Sequence, residues 1–151
     1  MSKYMDEVND IAAGLEIFLQ DRNKVNDPLG RVAFFFQREI KTSFAKIDEF
    51  TKRLAVNPAN AFEWGDEYID AAARLEVYAG LAYTVVRVNK GETTHTDALK
   101  HLREFGMREM TRFACNPSRS TGQCSNLVER YKGAAYARMF DGFNGLLTEK
   151  V

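Results

Sequence analysis

The sequence predicts an all-α protein, a compact bundle of about five helices with a long central helix 3. Apolar side chains recur every three or four residues along most of the chain, which is the spacing of one helix face. No stretch of useful length alternates apolar and polar residues as a strand would. The chain has 151 residues, enough for one domain (residues 1–151) with a real core.

Every proline in the chain follows an Asp or an Asn. The three pairs are Asp27-Pro28, Asn57-Pro58 and Asn116-Pro117. An Asx side chain can accept a hydrogen bond from the free amides of a helix start, and proline suits the first helical position. Each pair is therefore predicted to mark a boundary between helices.

The first two helices are predicted from their apolar stripes. Helix 1 is expected from about Tyr4 to Gln20, and helix 2 from Asp27-Pro28 to about Ala55. Phe34 and Phe35 widen the apolar surface of helix 2 beyond a single stripe. This part of the helix either sits in the core, which is the favoured interpretation, or offers a contact to a partner.

Helix 3 is expected to begin near Asn57-Pro58, or at Asn60 with Glu63 as a capping-box partner, and to end before Gly91. Apolar residues follow a heptad-like seam along it: Trp64, Tyr68, Ala71, Leu75, Tyr78, Ala82 and Val85. A second, mostly small stripe flanks this seam. Apolar positions on much of the circumference predict a central helix. The alternative is that part of this surface forms a homodimer.

Two more helices are predicted after Gly91. Helix 4 is expected to open with a capping box over residues 94–97 and to end near Cys115. Helix 5 is expected to start between Ser120 and Ser125. Three glycines, Gly133, Gly142 and Gly145, weaken its helix propensity by about 1 kcal/mol each relative to alanine, and mark either close packing or a kink.

Several features favour a cytoplasmic location without a membrane partner. No apolar run approaches the length that crosses a bilayer, and the first ten residues lack the basic-then-apolar order of a secretory signal. Cys115 and Cys124 flank a loop rich in Pro, Gly and Ser. A disulfide could close this loop, but two reduced thiols are the expected state in the cytosol.

The chain contains no motif of a known catalytic or cofactor site. It has no phosphate loop, dinucleotide glycine pattern, nucleophile elbow or zinc-protease motif, so no enzyme activity and no cofactor are expected. A cysteine nucleophile with His95 or His101 as its base lacks any local pattern that would position it. Asp97, His101 and Glu104 share one helix face and are weak metal candidates, because the Glu-x-x-His order of helical di-metal sites is missing.

The charges balance, with 21 basic and 21 acidic side chains, but they are unevenly distributed. A basic C-terminal third could bind nucleic acid through seven cations: Arg103, Arg108, Arg112, Arg119, Arg130, Lys132 and Arg138. Tyr131 and Tyr136 lie among them and could stack on bases. The favoured interpretation is that these cations pair with acidic helices of the same molecule.

The leading hypothesis is a non-enzymatic protein-protein interaction module, such as a small inhibitor, adaptor or accessory subunit, that acts through its helical surface. Aromatic and arginine side chains are the usual anchors of such contacts. The candidate anchors are Phe34, Phe35, Arg119 and Tyr131. The alternatives are a nucleic-acid-binding protein that uses the basic third and a metal-binding helical bundle.

Overall fold

Five α-helices make up the computed structural model, which describes residues 3–20, 27–114 and 124–143. The helices are α1 (Lys3–Leu19), α2 (Pro28–Val56), α3 (Asn60–Asn89), α4 (His95–Ala114) and α5 (Cys124–Gly142). The described ranges contain no strand. The predicted all-α bundle is therefore confirmed.

Helix α3 is the central element, because it packs against each of the other four helices. Its partner α2 runs antiparallel to it. Phe50, late in α2, stacks on Tyr68 early in α3, with ring centroids 4.6 Å apart. Phe35, early in α2, meets Tyr78 further along α3 at 5.2 Å. The predicted long central helix 3 is confirmed.

Tyr78 occupies the centre of the core. Its side chain is fully buried, and its hydroxyl donates a hydrogen bond of 2.7 Å to the backbone oxygen of Ala135 in α5. A buried hydroxyl needs such a partner, since leaving it unpaired would cost about 1–3 kcal/mol. Four other members of the predicted seam are buried as well: Ala71, Leu75, Ala82 and Val85. Tyr68 is 38% exposed at the edge of the core, and the side chain of Trp64 lies outside the described part.

The helix boundary at Asp27-Pro28 forms as predicted. Asp27 is the N-cap of α2, and its Oδ1 accepts a hydrogen bond of 2.6 Å from the amide of Gly30. The pair Asn57-Pro58 also marks a boundary as predicted, because Asn57 ends α2. The Asn57 amide donates to the Arg53 oxygen at 3.0 Å. The third pair, Asn116-Pro117, lies outside the described residues, as does Gly145.

Helix α3 begins at Asn60 without a side-chain cap, since the N-cap residue is Ala59. The predicted start at Asn60 is therefore confirmed, with Ala59 instead of an Asx residue at the N-cap position. The turn between α2 and α3 spans only residues 57–59, and the Asn57 side chain is used inside it, where its Oδ1 accepts from the Ala59 amide at 3.1 Å. The side chain of Glu63 is outside the described part.

The predicted end of α3 before Gly91 and the predicted start of α4 after it are confirmed. Gly91 has a φ of 72°, its amide donates to the Val88 oxygen at 3.1 Å, and the Glu92 amide donates to the Arg87 oxygen at 3.1 Å. This pair of bonds is a Schellman motif. The next helix opens with Thr94, whose Oγ1 accepts from the Asp97 amide at 3.1 Å. At the far end, α5 starts at Cys124, inside the interval predicted for it.

Three glycines allow helices to approach closely: Gly14, Gly106 and Gly133. A Cβ built on Gly14 of α1 would lie 2.7 Å from Cγ2 of Val86 in α3. The Gly14 backbone oxygen also accepts a hydrogen bond of 2.9 Å from Asn89 Nδ2. On α5, a Cβ on Gly133 would lie 3.0 Å from Cβ of Phe113, so Gly133 marks close packing. The contact at Gly14 was not predicted, because its partner is far away in the chain.

Gly14→Ala is expected to destabilise the protein although alanine favours helix. Overpacking against the stiff side chain of Val86 costs about 1–3 kcal/mol, more than the roughly 1 kcal/mol gained in helix propensity. We therefore expect a net loss of about 1 kcal/mol in the free energy of unfolding, measured by urea denaturation.

Gly65→Ala is the matched control, because nothing lies within 4 Å of a Cβ at that position of α3. It should raise the free energy of unfolding by about 0.5–1 kcal/mol. In a Val86→Ala background the penalty of Gly14→Ala should disappear. Equal stabilisation by Gly14→Ala and Gly65→Ala would contradict the close contact.

Candidate interaction site

A groove of about 530 Å³ lies between α3, α4 and α5. This volume is within the range of about 300–1,000 Å³ that is usual for binding pockets. Val77, Gly80 and Leu81 of α3 form part of its lining, and α4 and α5 contribute aromatic and charged side chains. We refer to it below as the α3–α5 groove.

Gly80 leaves open space in the α3–α5 groove. The residue is exposed, and a Cβ built on it would meet nothing within 4 Å. A glycine inside a helix costs about 1 kcal/mol relative to alanine. Close packing within the chain explains this cost at Gly14, Gly106 and Gly133 but not at Gly65 or Gly80. The consequence of glycine at position 80 is a hole that faces solvent.

Aromatic side chains of α4 and α5 form one wall of the groove. The ring of Tyr136 lies 6.4 Å from Phe105 and 6.1 Å from Phe113, measured between centroids. The guanidinium groups of Arg108 and Arg112 lie 5.2 Å from the centroids of Phe105 and Phe113, respectively. These cation-π contacts hold two of the predicted nucleic-acid-binding arginines against rings of their own helix.

Burial raises the pKa of Tyr136 to about 12, and the carboxylates of Glu109 and Glu76 act in the same direction. Arg112 opposes this shift. The hydroxyl therefore stays protonated near neutral pH. Tyr136 contributes an apolar ring and a neutral hydroxyl to the groove, and it is unsuited to act there as a general base.

Two ion pairs lie along the rim of the groove. Lys132 Nζ is 3.0 Å from Glu76 Oε1 and joins α5 to α3, and Arg112 Nη1 is 3.0 Å from Glu109 Oε1. Glu129 also lines the groove and makes no ion pair within the described ranges. The lining therefore contains three carboxylates, of Glu76, Glu109 and Glu129, but only two permanent cations, Arg112 and Lys132.

Three of the predicted basic residues pair with carboxylates, as the favoured interpretation expected. They are Arg112, Lys132 and Arg138. Arg130 is exposed, Arg103 is half-buried, and Arg119 lies outside the described residues. Tyr136 is only 6% exposed and Tyr131 is half-buried, so Tyr136 offers no open ring face to a nucleic-acid base.

The structure separates Phe34 from Phe35. Phe34 is 52% exposed, whereas Phe35 is buried against Tyr78 and Phe143, with centroid distances of 5.2 and 5.4 Å. Phe35 is therefore a core residue and cannot serve as a partner anchor in this fold, which corrects that part of the expectation. Adjacent positions on a helix point about 100° apart, so one can be buried while the other is exposed.

The metal candidates Asp97, His101 and Glu104 are exposed on α4 and do not form a site. No three His, Cys, Asp or Glu side chains in the described ranges are placed to hold a metal ion. The His101 ring instead stacks on Phe105 at 5.6 Å. His95 is also engaged, with Nδ1 3.2 Å from Oδ2 of Asp27. Cys115 and the side chain of Cys124 lie outside the described part.

Glu39 is a buried charge that sequence reasoning missed. It is 5% exposed in α2, and its Oε1 lies 2.6 Å from Nε of Arg138 in α5. No donor is aligned for a hydrogen bond to this oxygen, so the contact is an ion pair alone. The available signal was its position between Phe36 and Ile40 on the buried stripe of α2. Its partner is about a hundred residues away and could not be read from that stripe.

Along the middle of α3 one strip of residues is exposed. Between Leu75 and Arg87 every residue is buried except four: Glu76, Gly80, Tyr83 and Arg87. Their spacing of four, three and four residues places them along one line on the helix. We call them the α3 strip. It runs beside the α3–α5 groove on one side and a second groove on the other, between α1 and α3, which includes Ile17 and Tyr83.

No protein-family model, curated protein or solved structure matches the chain. Within the described residues, no helix combines the length and apolar character needed to cross a bilayer.

Arg138→Ala should lower the free energy of unfolding by about 2 kcal/mol, because it leaves the carboxylate of Glu39 buried without its partner. Adding Glu39→Met should recover most of this loss, since an apolar side chain needs no counter-ion there. Urea denaturation of both variants measures the effect. An unchanged stability of Arg138→Ala would show that the pair does not hold α2 to α5.

The stability of the protein should fall between about pH 10 and pH 12. The folded-state pKa of Tyr136 lies above its ordinary value, so folding favours the protonated phenol. Its contribution is complete below about pH 10 and is lost as the pH rises through the folded pKa. Burial raises the pKa of Tyr78 as well.

Tyr136→Phe should show a shallower alkaline decline than wild type when urea unfolding is repeated across this range. Tyr83→Phe, at an exposed tyrosine, is the control. Identical declines for Tyr136→Phe and wild type would contradict the assignment.

Proposed function

We propose that the protein is a non-enzymatic protein-protein interaction module that binds a helix of another polypeptide on the α3 strip and in the α3–α5 groove. The observation that carries the proposal is the unfilled space over Gly80. An open glycine is not sufficient by itself, since Gly65 of the same helix is equally open, but Gly80 lies in the lining of the α3–α5 groove. A partner side chain inserted over Gly80 would fill this space.

The chemistry of the groove favours an amphipathic occupant. Apolar surface from Val77 and Leu81 lies below the opening, and charged side chains surround it. This is the arrangement of grooves that take up the apolar face of a helix while a polar rim remains in water. The ion pairs at the rim are partly exposed and contribute little to stability, so a partner can rearrange them at low cost.

We do not extend the proposal to nucleic acid or to a metal. Three of the predicted cations already pair with carboxylates, and one more, Arg108, stands over the ring of Phe105 in its own helix. The roles of inhibitor, adaptor or accessory subunit are all compatible with the groove. A cytoplasmic location, expected from the sequence, is part of the proposal.

Filling the hole should abolish binding without harming the fold. Gly80→Leu places a side chain in space that is empty in the monomer, and leucine is the better helix former by nearly 1 kcal/mol. We expect Gly80→Leu to recover at least about tenfold less partner than wild type when tagged proteins are incubated with an extract of the source organism. Quantitative mass spectrometry of the captured proteins gives the readout.

Gly65→Leu is the matched control, because it makes the same change on the same helix at another open position. It should capture the same proteins as wild type. Thermal melting should show that neither variant is less stable than wild type. Equal capture by Gly80→Leu and wild type would refute the proposed use of the groove.

A further inference from the structure

We infer that a second copy of this chain occupies the surface around Gly80, with the two α3 helices paired antiparallel across a twofold axis. This inference rests on the proposed function of the same surface and names the partner. It is argued from the symmetry of the α3 strip, from the shapes of its central residues and from its charges.

A twofold interface must be complementary to itself, because the same patch is used by both copies. The α3 strip meets this requirement by position. Glu76 and Arg87 lie equally far from the midpoint between Leu81 and Ala82, and so do Gly80 and Tyr83. An antiparallel pairing about that midpoint therefore places Glu76 opposite Arg87 and Gly80 opposite Tyr83, each twice.

The two central positions have complementary shapes. Tyr83 is 46% exposed, and the ammonium group of Lys90 lies 5.8 Å from the centroid of its ring. Opposite it would lie the open space over Gly80, where a Cβ would meet nothing within 4 Å. The Tyr83 ring of each copy would thus enter the hole of the other, as a knob enters a hole between close-packed helices. This contact also accounts for the glycine at position 80.

The outer positions have opposite charges. In the single chain Glu76 pairs with Lys132, and Arg87 pairs with Glu92 at 3.2 Å. The side chain of Glu76 is 58% exposed and that of Arg87 is 44% exposed. Exposed pairs of this kind contribute about 0–1 kcal/mol, so both side chains are available to a second copy. Opposite charges set the register of such a pair more than its affinity.

Apolar surface continues beside the strip. Ile17 of α1 is 60% exposed and lines the groove between α1 and α3 together with Tyr83, and this groove has a volume of about 450 Å³. A second α3 helix would cover its edge. The contact involves one helix and two groove edges, fewer than the roughly 20–30 residues a side of a standard interface, so we expect a dissociation constant of about 10–100 μM.

Analytical ultracentrifugation of the full chain from about 5 to about 500 μM tests this inference. Wild type should shift from monomer to dimer over this range. Tyr83→Ala removes the knob and Gly80→Leu fills the hole, and each should weaken dimerisation at least about tenfold. Two controls, Val56→Ala and Gly65→Leu, change an exposed apolar side chain and an open glycine away from the strip and should dimerise like wild type.

Charge reversal tests the register. Glu76→Arg and Arg87→Glu each create two like-charge contacts in the dimer and should weaken it by about tenfold at low salt. The double variant Glu76→Arg/Arg87→Glu restores opposite charges across the axis and should dimerise within about threefold of wild type. Recovery in the double variant requires that the two positions face each other. Circular dichroism melting checks that each variant is folded.

A wild type that remains monomeric at the highest concentration would overturn the inference, and so would dimerisation that survives Gly80→Leu and Tyr83→Ala. Failure of the charge-reversed double variant to recover would exclude this antiparallel register. None of these outcomes decides whether a foreign protein binds the groove. That proposal fails only if Gly80→Leu and wild type capture the same partners, so the two failures are distinguishable.

Discussion

The burial of α3 by the four other helices of the described residues is the constraint on which the rest of the structure depends. Tyr78 lies at the centre of this arrangement, with Phe35 of α2 against its ring and the backbone oxygen of Ala135 accepting from its hydroxyl. Burying one helix on nearly every side fills its circumference with apolar or small residues. The few positions left in water between Leu75 and Arg87 therefore stand out as a defined surface.

Glycine has two opposite effects in this bundle. At Gly14 the missing side chain lets α1 approach Val86, so the cost in helix propensity is offset by close packing inside the molecule. At Gly80 the same cost brings no internal contact and leaves a hole beside an apolar groove floor. The difference lies in the neighbouring helices, which reach the Cβ position of Gly14 but not that of Gly80.

The ion pairs fall into two groups, those within one helix and those between helices. Local pairs such as Asp70 and Arg74, 3.0 Å apart, stay within one turn of one helix. Cross-helix pairs join α5 to its neighbours: Arg138 reaches Glu39 and Lys132 reaches Glu76. These pairs neutralise part of the basic C-terminal third and tie it to the bundle. Three polar contacts thus hold α5 to its neighbours. They are the buried hydrogen bond from Tyr78 to Ala135, the ion pair of Arg138 with the buried carboxylate of Glu39, and the pair of Lys132 with Glu76.

Amino-acid order alone was enough to predict the helices, the caps at Asp27 and Thr94, the stop at Gly91 and the central place of α3, because each depends on spacing or on bonds within a few residues. Helical spacing also showed that Phe34 and Phe35 widen the apolar surface of α2 beyond one stripe. Tertiary packing decided which of the two is buried, the use of Asn57 inside a tight turn, the partner of Glu39 and the contrast between Gly14 and Gly80. Those outcomes depend on which distant surfaces meet, and periodicity along one helix carries no information about the side chains that another helix brings to it.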